Sequence, residues 1–117
     1  MVVPVMVKNL HDAYAAGVKI AFGTDTFGIS AHGENAQEFA LMVKAGMTPS
    51  EAITAATTSA ADLIGDATNI GSIQAGRYAD IIAVAGDPLA DITTLEKVGF
   101  VMKGGAVYKA DGKAVAP

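Results

Sequence analysis

The sequence of 117 residues predicts an α/β fold, and two observations support this class. First, an amphipathic segment at residues 4–16 is followed by Gly17 and by the apolar run at residues 18–22. That order is typical of a helix, a turn and a buried strand. Second, glycines divide the last third of the chain into short β-rich runs. The chain is therefore expected to combine half of an α/β repeat with a small β segment.

Two further helices are predicted after a loop at residues 26–33. Residues 34–45 show the helical spacing of apolar side chains. The next helix begins at Thr48 with a capping box, in which Glu51 reaches back to the cap, and it continues as one helix up to Gly65. The predicted order up to this glycine is helix, strand, loop, helix, helix.

The β segment is predicted to contain three strands, at residues 80–85, 98–103 and 106–109. Gly104 and Gly105 separate the last two runs. A glycine pair favours a tight hairpin turn, because both central positions of such turns adopt positive φ. We therefore expect an antiparallel hairpin close to the C-terminus.

The composition argues against several classes of function. Hydrophobic residues make up 51% of the chain and charged residues 17%, which predicts a folded rather than a disordered chain. No uncharged run approaches the roughly 20 residues that cross a bilayer. The net charge of −4 argues against a nucleic-acid-binding surface, and the absence of cysteine leaves oxygen and imidazole as metal ligands. We expect a cytoplasmic protein whose partners are neither nucleic acid nor membrane.

Asp25 is the first candidate for chemistry, because it follows the apolar run 18–22 after Gly23 and Thr24. A carboxylate at the C-terminal end of a strand lies where parallel α/β folds place their sites. It can ligate a metal and can carry a proton to a leaving nitrogen. It can equally cap a turn or the following loop. The pattern of residues favours neither role over the other.

His32 is the second candidate, since it lies on the same loop as Asp25. A histidine at the start of a helix is more often a solvated or capping residue than a ligand. His11 is interpreted as a surface residue of the first helix. Glu34 and Glu38 are four residues apart, a spacing more typical of a solvated first helical turn than of a metal site.

An ordered set of motifs along nearly the whole chain resembles the last part of the amidohydrolase superfamily. The motifs lie at residues 17–25, 32–35, 45–53, 56–61, 71–73, 76–84, 86–89 and 101–105. No single motif is decisive, but their order is specific. The most similar branch is the imidazolonepropionase-like and Xaa-Pro dipeptidase-like one.

The resemblance implies a fold for each part of the chain. The family has a (β/α)8 barrel and a small β-sandwich built from both chain ends. Residues 1–65 would be the C-terminal portion of the barrel, with its last strand and helices. Residues 66–117 would supply C-terminal strands of the composite sandwich.

The resemblance also implies a metal-dependent hydrolase of C–N bonds, acting on a small-molecule amide or dipeptide. In the full-length parent, Asp25 would be the catalytic residue, a ligand of a divalent metal, zinc, and the carrier of the proton. His32 is carried over as a candidate substrate contact. The histidine ligands of the family and its strand-four lysine or carboxylate have no counterpart here. Because a catalytic zinc usually has three protein ligands, this chain alone is expected to bind no metal and to be inactive.

The sequence is also compatible with a second, non-enzymatic class of function. The chain can be a non-enzymatic α/β domain that binds a partner, or self-associates, through apolar surface that a barrel would cover. A barrel strand without its neighbours also exposes unpaired edges. Both arguments predict a homo-oligomer.

Overall fold

The computed structural model describes residues 3–25 and 33–116. Within these ranges the chain forms four α-helices followed by four β-strands. Their bounds are α1 Val3–Ala15, α2 Gln37–Lys44, α3 Pro49–Ala56, α4 Thr58–Leu63, β1 Ile81–Val84, β2 Val98–Lys103, β3 Ala106–Ala110 and β4 Lys113–Ala114, with a 3-10 helix Ile92–Glu96 between β1 and β2. None of the helices in the described ranges has the length and apolar character to cross a bilayer.

The first two helices differ in how well the sequence predicted their ends. α1 agrees with the predicted helix to within one residue at each end. α2 begins at Gln37 instead of residue 34, and Ala36 at its N-cap has no side-chain hydrogen bond. The amides of Gln37 and Glu38 donate to the carbonyls of Glu34 and Asn35, three residues earlier. The segment before α2 is thus a series of turns, because it has no side chain that caps a regular first turn.

The predicted capping box at Thr48 is confirmed. The Thr48 hydroxyl accepts from the Glu51 amide at 3.3 Å, and the Glu51 carboxylate accepts from the Thr48 amide at 2.8 Å. The prediction of one helix from Thr48 to Gly65 is wrong, because the helix is interrupted at Thr57, with φ of −122° and ψ of −90°. The Thr57 hydroxyl donates to the Ile53 carbonyl at 2.7 Å, and the Thr57 amide donates to Thr54 instead. A side chain that takes a helical carbonyl competes with the backbone, and α3 and α4 are separate for this reason.

The strand predicted at residues 18–22 is also wrong, since this segment has no regular secondary structure. A strand is defined by its hydrogen bonds to a neighbouring strand. The sheet of the described residues contains β1 to β4 alone. Phe22 instead donates its amide to the Ala55 carbonyl of α3 at 2.9 Å. The apolar run therefore lies against a helix.

The C-terminal sheet is antiparallel, with strand order β1-β2-β3-β4. The three predicted strands are confirmed to within one residue at each end. The predicted hairpin is confirmed as well, and Gly104 and Gly105 have φ of 56° and 83°. β4 and the 3-10 helix were not predicted, because each is too short to show a periodicity.

The core of the described residues lies among the helices. Four buried side chains form its centre: Met42, Met47, Ala52 and Ala55. Apolar residues of α1, of the segment 18–22 and of α2 pack around them. We call residues 66–116, which contain the four strands and their connections, the sheet region. Its buried hydrophobic residue is Ile92, in the 3-10 helix. The α/β class is therefore confirmed, while the division into barrel and sandwich portions stays a prediction.

Candidate active site

Asp25 is exposed and lies at the C-terminal end of the segment that follows α1. Its φ of 41° is in the left-handed region. Aspartate tolerates this conformation better than most residues, because its short side chain can hydrogen-bond locally. Three residues earlier, the Phe22 amide is bonded to α3. The carboxylate is therefore open to solvent at the end of an anchored stretch of backbone.

The anchoring of this stretch comes from apolar and aromatic contacts. Ile20 and Phe22 pack against the helical core cluster. The rings of Phe22 and Phe39 have centroids 5.3 Å apart at an angle of 58°. Tilted aromatic pairs at this distance are attractive beyond their buried area. The segment is thereby tied to α2 as well as to α3.

An ion pair links the beginning of the same segment to α4. Lys19 Nζ lies within 2.5 Å of Asp62 Oδ2, on α4. The hydrogen bond from Lys19 and its positive charge hold the pKa of Asp62 below its usual value. Both side chains are largely exposed, so solvent screens this pair and its contribution to stability is small. It nevertheless adds a third helix to those that hold the segment.

The described residues do not by themselves make a metal site. In residues 3–25 and 33–116, no group of three or more His, Cys, Asp or Glu side chains could hold a metal ion. His32, the candidate substrate contact, lies outside the described residues. His11 is exposed, as expected, but its Nδ1 lies 2.8 Å from the Ala45 carbonyl and must donate to it. Asp25 is therefore the predicted site residue whose position the structure gives.

Glu38 differs from the solvated residue that the sequence suggested. It is half-buried in the first turn of α2, whereas Glu34 is exposed. Burial raises the pKa of Glu38 above its ordinary value. A partly buried carboxylate with a raised pKa is a feature that functional sites share with many structural positions. Met42 lies four residues later on the same face of α2 and is buried, and this spacing is the signal in the sequence that could have indicated the partial burial of Glu38.

An apolar groove of about 550 Å³ lies between the helices and the sheet region. Its walls include Ile53 and Ile64 from the helices, and Ile70, Tyr78 and Ile82 from the sheet region. Asp80 also lines the groove, and its carboxylate accepts from the Gly104 amide at 2.7 Å, which is a structural role. Sequence reasoning missed this groove, because its walls come from distant parts of the chain.

Known proteins are similar to this chain in both sequence and structure. Ochratoxinase from Aspergillus niger is 41% identical over 110 residues, which are 90% of this chain and 22% of that protein. Imidazolonepropionase from Brevibacillus brevis is 36% identical over 77 residues, or 61% of this chain and 18% of that protein. A crystal structure of an Xaa-Pro dipeptidase with methionine bound in its active site superimposes with a TM-score of 0.87 at 45% identity, covering 92% of this chain and 26% of that one.

The chain thus spans about a quarter or less of the length of these relatives. The family model described as the amidohydrolase family matches residues 1–111. This match covers nearly all of the sequence and confirms the resemblance seen in its motifs. The chain belongs to the amidohydrolase family.

Proposed function

We propose that the longer polypeptide to which this chain corresponds is a metal-dependent hydrolase of C–N bonds in small amides or dipeptides. The observation that carries the proposal is the family match over residues 1–111, which includes Asp25 on its anchored segment. The relatives named as an Xaa-Pro dipeptidase and an ochratoxinase support a hydrolase. The cytoplasm is the location we propose for it.

The division of the chain into two portions is part of the same proposal. Residues 1–65 form the C-terminal portion of a barrel, and residues 66–117 form strands of a composite β-sandwich. The separation of helices from sheet along the chain supports this assignment. The helices α2, α3 and α4 contact the segment that precedes Asp25, while the sheet lies on the other side of the apolar groove.

Asp25 is proposed as the residue that moves a proton to the leaving nitrogen and as one oxygen ligand of a divalent metal, zinc. Asp25 is exposed, which supports the role. Residues 3–25 and 33–116 do not complete a metal site, so the proposal requires further ligands from outside these ranges. His32 is proposed as a substrate contact on the loop that follows Asp25.

The role of Asp25 is tested by Asp25→Asn in the longer polypeptide. Asparagine has the same shape and also tolerates a left-handed backbone, so the fold is expected to persist. Loss of a general acid/base should lower kcat by about 10² or more, measured on Ala-Pro and Met-Pro dipeptides. Asp111→Asn is the matched control, since Asp111 is exposed and has a φ of 50°. Near-parental turnover in Asp25→Asn would contradict the assignment.

The 117-residue chain alone is proposed to be inactive. It is assayed on the same dipeptides with added Zn²⁺, and its metal content is measured after desalting. We expect neither hydrolysis nor retained zinc, because one carboxylate cannot replace the usual three ligands. Turnover that disappears when a chelator is added would show that the 117 residues are sufficient for metal-dependent hydrolysis.

A second candidate function, self-association, is supported by the apolar surface. Exposed fractions reach 80% for Ile73, 75% for Leu63 and 64% for Tyr78. The edge strand β1 also carries no charged residue, which leaves its outer backbone groups available for pairing. We propose that the isolated chain forms a homo-oligomer through β1 and the adjoining groove.

Sedimentation across a concentration series tests the homo-oligomer. The mass should rise with concentration, and Ile82→Lys on β1 should return it to one chain, because a lysine on an edge strand opposes pairing. Val115→Lys is the control, since Val115 is 41% exposed and does not line the groove. A constant mass of one chain at the highest concentration would rule out self-association.

A further inference from the structure

We propose that Asp111 is a site of isoaspartate formation, and that the hydrogen bond from the Gly112 amide to the Gly99 carbonyl controls its rate. The inference goes beyond the proposed hydrolase and does not depend on it. It concerns the turn between β3 and β4, where the sequence contains its one Asp-Gly dipeptide. Isoaspartate forms most readily at Asp-Gly, because glycine places no side chain beside the attacking amide.

The reaction requires no reactant other than water. The backbone nitrogen of Gly112 attacks Cγ of Asp111 and forms a C–N bond, and the carboxyl hydroxyl leaves as water together with the amide proton. Water then adds to one of the two carbonyls of the resulting five-membered imide. Cleavage of the bond between the nitrogen and the backbone carbonyl leaves the chain connected through Cγ. This product is isoaspartate, and its mass equals that of the parent.

The turn presents both reacting residues to solvent. Asp111 and Gly112 are exposed and have φ of 50° and 74°. Positive φ at both central residues is typical of a two-residue type I′ hairpin turn. The strand that follows, β4, has two residues, and both are exposed. Water, which the second step consumes, therefore has access to the turn.

One hydrogen bond opposes the first step. The Gly112 amide donates to the Gly99 carbonyl of β2 at 2.9 Å. While that bond is made, the nitrogen cannot lose its proton and turn toward the Asp111 carboxyl. Amides held in this way react through local opening of the structure. Reaction at Asp111 therefore requires the end of the β3–β4 hairpin to open.

Few interactions close this hairpin. β3 pairs with β4 through two residue pairs, and beyond them the Val115 amide donates to the Tyr108 carbonyl at 2.8 Å. Because short terminal strands open at low cost in free energy, these contacts determine how often the Gly112 amide is released. The β1 edge proposed for self-association lies on the other side of the sheet.

The product would change the sheet. Isoaspartate adds a methylene to the backbone, so the two-residue turn would no longer fit the register of β3 and β4. β4 would then separate, and β3 would become an edge strand of the sheet.

The experiment is an ageing series of the 117-residue chain at neutral pH and low concentration. The endoproteinase Asp-N cleaves before aspartate but not before isoaspartate, so peptides left uncut at Asp111 measure the product by chromatography and mass spectrometry. Val115→Pro removes the amide that bonds to Tyr108 and leaves the Asp-Gly dipeptide intact. Val115→Ala is the matched control, because it keeps that amide. A synthetic peptide of residues 109–114 gives the rate without the hairpin.

We expect isoaspartate to form at Asp111 in the folded parent about tenfold more slowly than in the peptide. Val115→Pro should accelerate the reaction about fivefold, while Val115→Ala should stay within about twofold of the parent. If Val115→Pro does not fold, the parent is aged in urea below its unfolding transition, and the rate should rise with urea.

Three results would overturn the proposal. Equal rates in the folded parent and the peptide would show that the Gly112–Gly99 hydrogen bond does not control the reaction. Equal rates in the two Val115 variants, or a rate independent of urea, would show that opening of the hairpin is not involved. No product at Asp111 in the parent after about ten half-lives of the peptide would show that the folded chain has no such site.

Discussion

The helical region and the sheet region of this chain differ in whether they have an interior of their own. Among the helices, Met42, Met47, Ala52 and Ala55 are at most 5% exposed and form a continuous cluster. In the sheet region, Ile92 is the buried hydrophobic residue of the described part, and every residue of β2 except Lys103 is half-buried. The helices therefore enclose a small core, whereas the sheet covers neither of its faces completely.

This difference predicts that most of the stability of the chain comes from the helical region. The buried helical residues are mostly small or flexible, which allows the helices and the segment 18–22 to approach closely. The half-buried side chains of β2 would become more buried if additional polypeptide packed against the sheet. The apolar groove lies at the boundary of the two regions and is lined by both. Substitutions matched between the regions can test this comparison.

The largest effect is expected from Met42→Ala on α2. Truncating a buried methionine leaves a cavity, and the cost should be about 3 kcal/mol in the free energy of unfolding. The matched substitution Met102→Ala removes a half-buried side chain from β2 and should cost about 1 kcal/mol. Urea unfolding of the 117-residue chain at low concentration measures both. Equal losses would show that the sheet has as complete an interior as the helices.

An intermediate effect is expected from Gly71→Ala, where the sheet region meets α4. A Cβ at this position would lie 2.7 Å from the Ala61 Cβ and 3.0 Å from the Thr57 carbonyl, and φ is +88°. Overpacking and the left-handed backbone together should cost about 2 kcal/mol. Gly76→Ala, with a φ of +85° and no atom within 4 Å, should cost about 1 kcal/mol from the backbone alone. If the two variants unfold at the same urea concentration, the close approach of Gly71 to α4 adds nothing to the free-energy cost of the substitution.

The smallest effect concerns the pH dependence of the helical region. Hydrogen bonds from the Thr48 hydroxyl, the Thr48 amide and Tyr14 lower the pKa of Glu51. A lowered folded pKa means that the contribution to stability is complete above the ordinary carboxylate pKa and is lost as the pH falls through the lowered value. Glu51→Gln should therefore unfold at lower urea than the parent at about pH 7, with the difference shrinking in acid.

Tyr14→Phe separates the two partners of Glu51 in that experiment. It removes the bonds at 2.9 and 3.0 Å between the Tyr14 hydroxyl and the carboxylate but keeps the capping box. We expect a pH dependence between those of the parent and Glu51→Gln. A difference between parent and Glu51→Gln that is constant with pH would show that ionisation of Glu51 is not involved.

Local chemistry explains which parts of the fold could be predicted from the sequence. The capping box needs only Thr48 and Glu51, three residues apart, and the hairpin needs only its two glycines. The break at Thr57 could not be read from the sequence, because the helical spacing of apolar residues continues through it. The Thr57 hydroxyl, which donates to the Ile53 carbonyl, competes with the backbone at the break.

The candidate site was predictable only in part, for a similar reason. The apolar run before Asp25 predicted a buried strand, which is wrong for this chain, because its pattern cannot specify whether a strand or a helix lies beside it. The ring contact between Phe22 and Phe39 joins residues 17 positions apart, and no periodicity connects them. The burial of Glu38 likewise depends on packing between elements.

The left-handed backbone at Asp25 has a consequence for how this position can change in evolution. Asparagine and glycine are the other residues that adopt a positive φ at low cost. Each of them is one base change away from an aspartate codon. Both would remove the carboxylate while leaving the backbone unstrained. If Asp25 has the role proposed above, we expect substitutions at position 25 that abolish hydrolysis without straining the backbone to be asparagine or glycine.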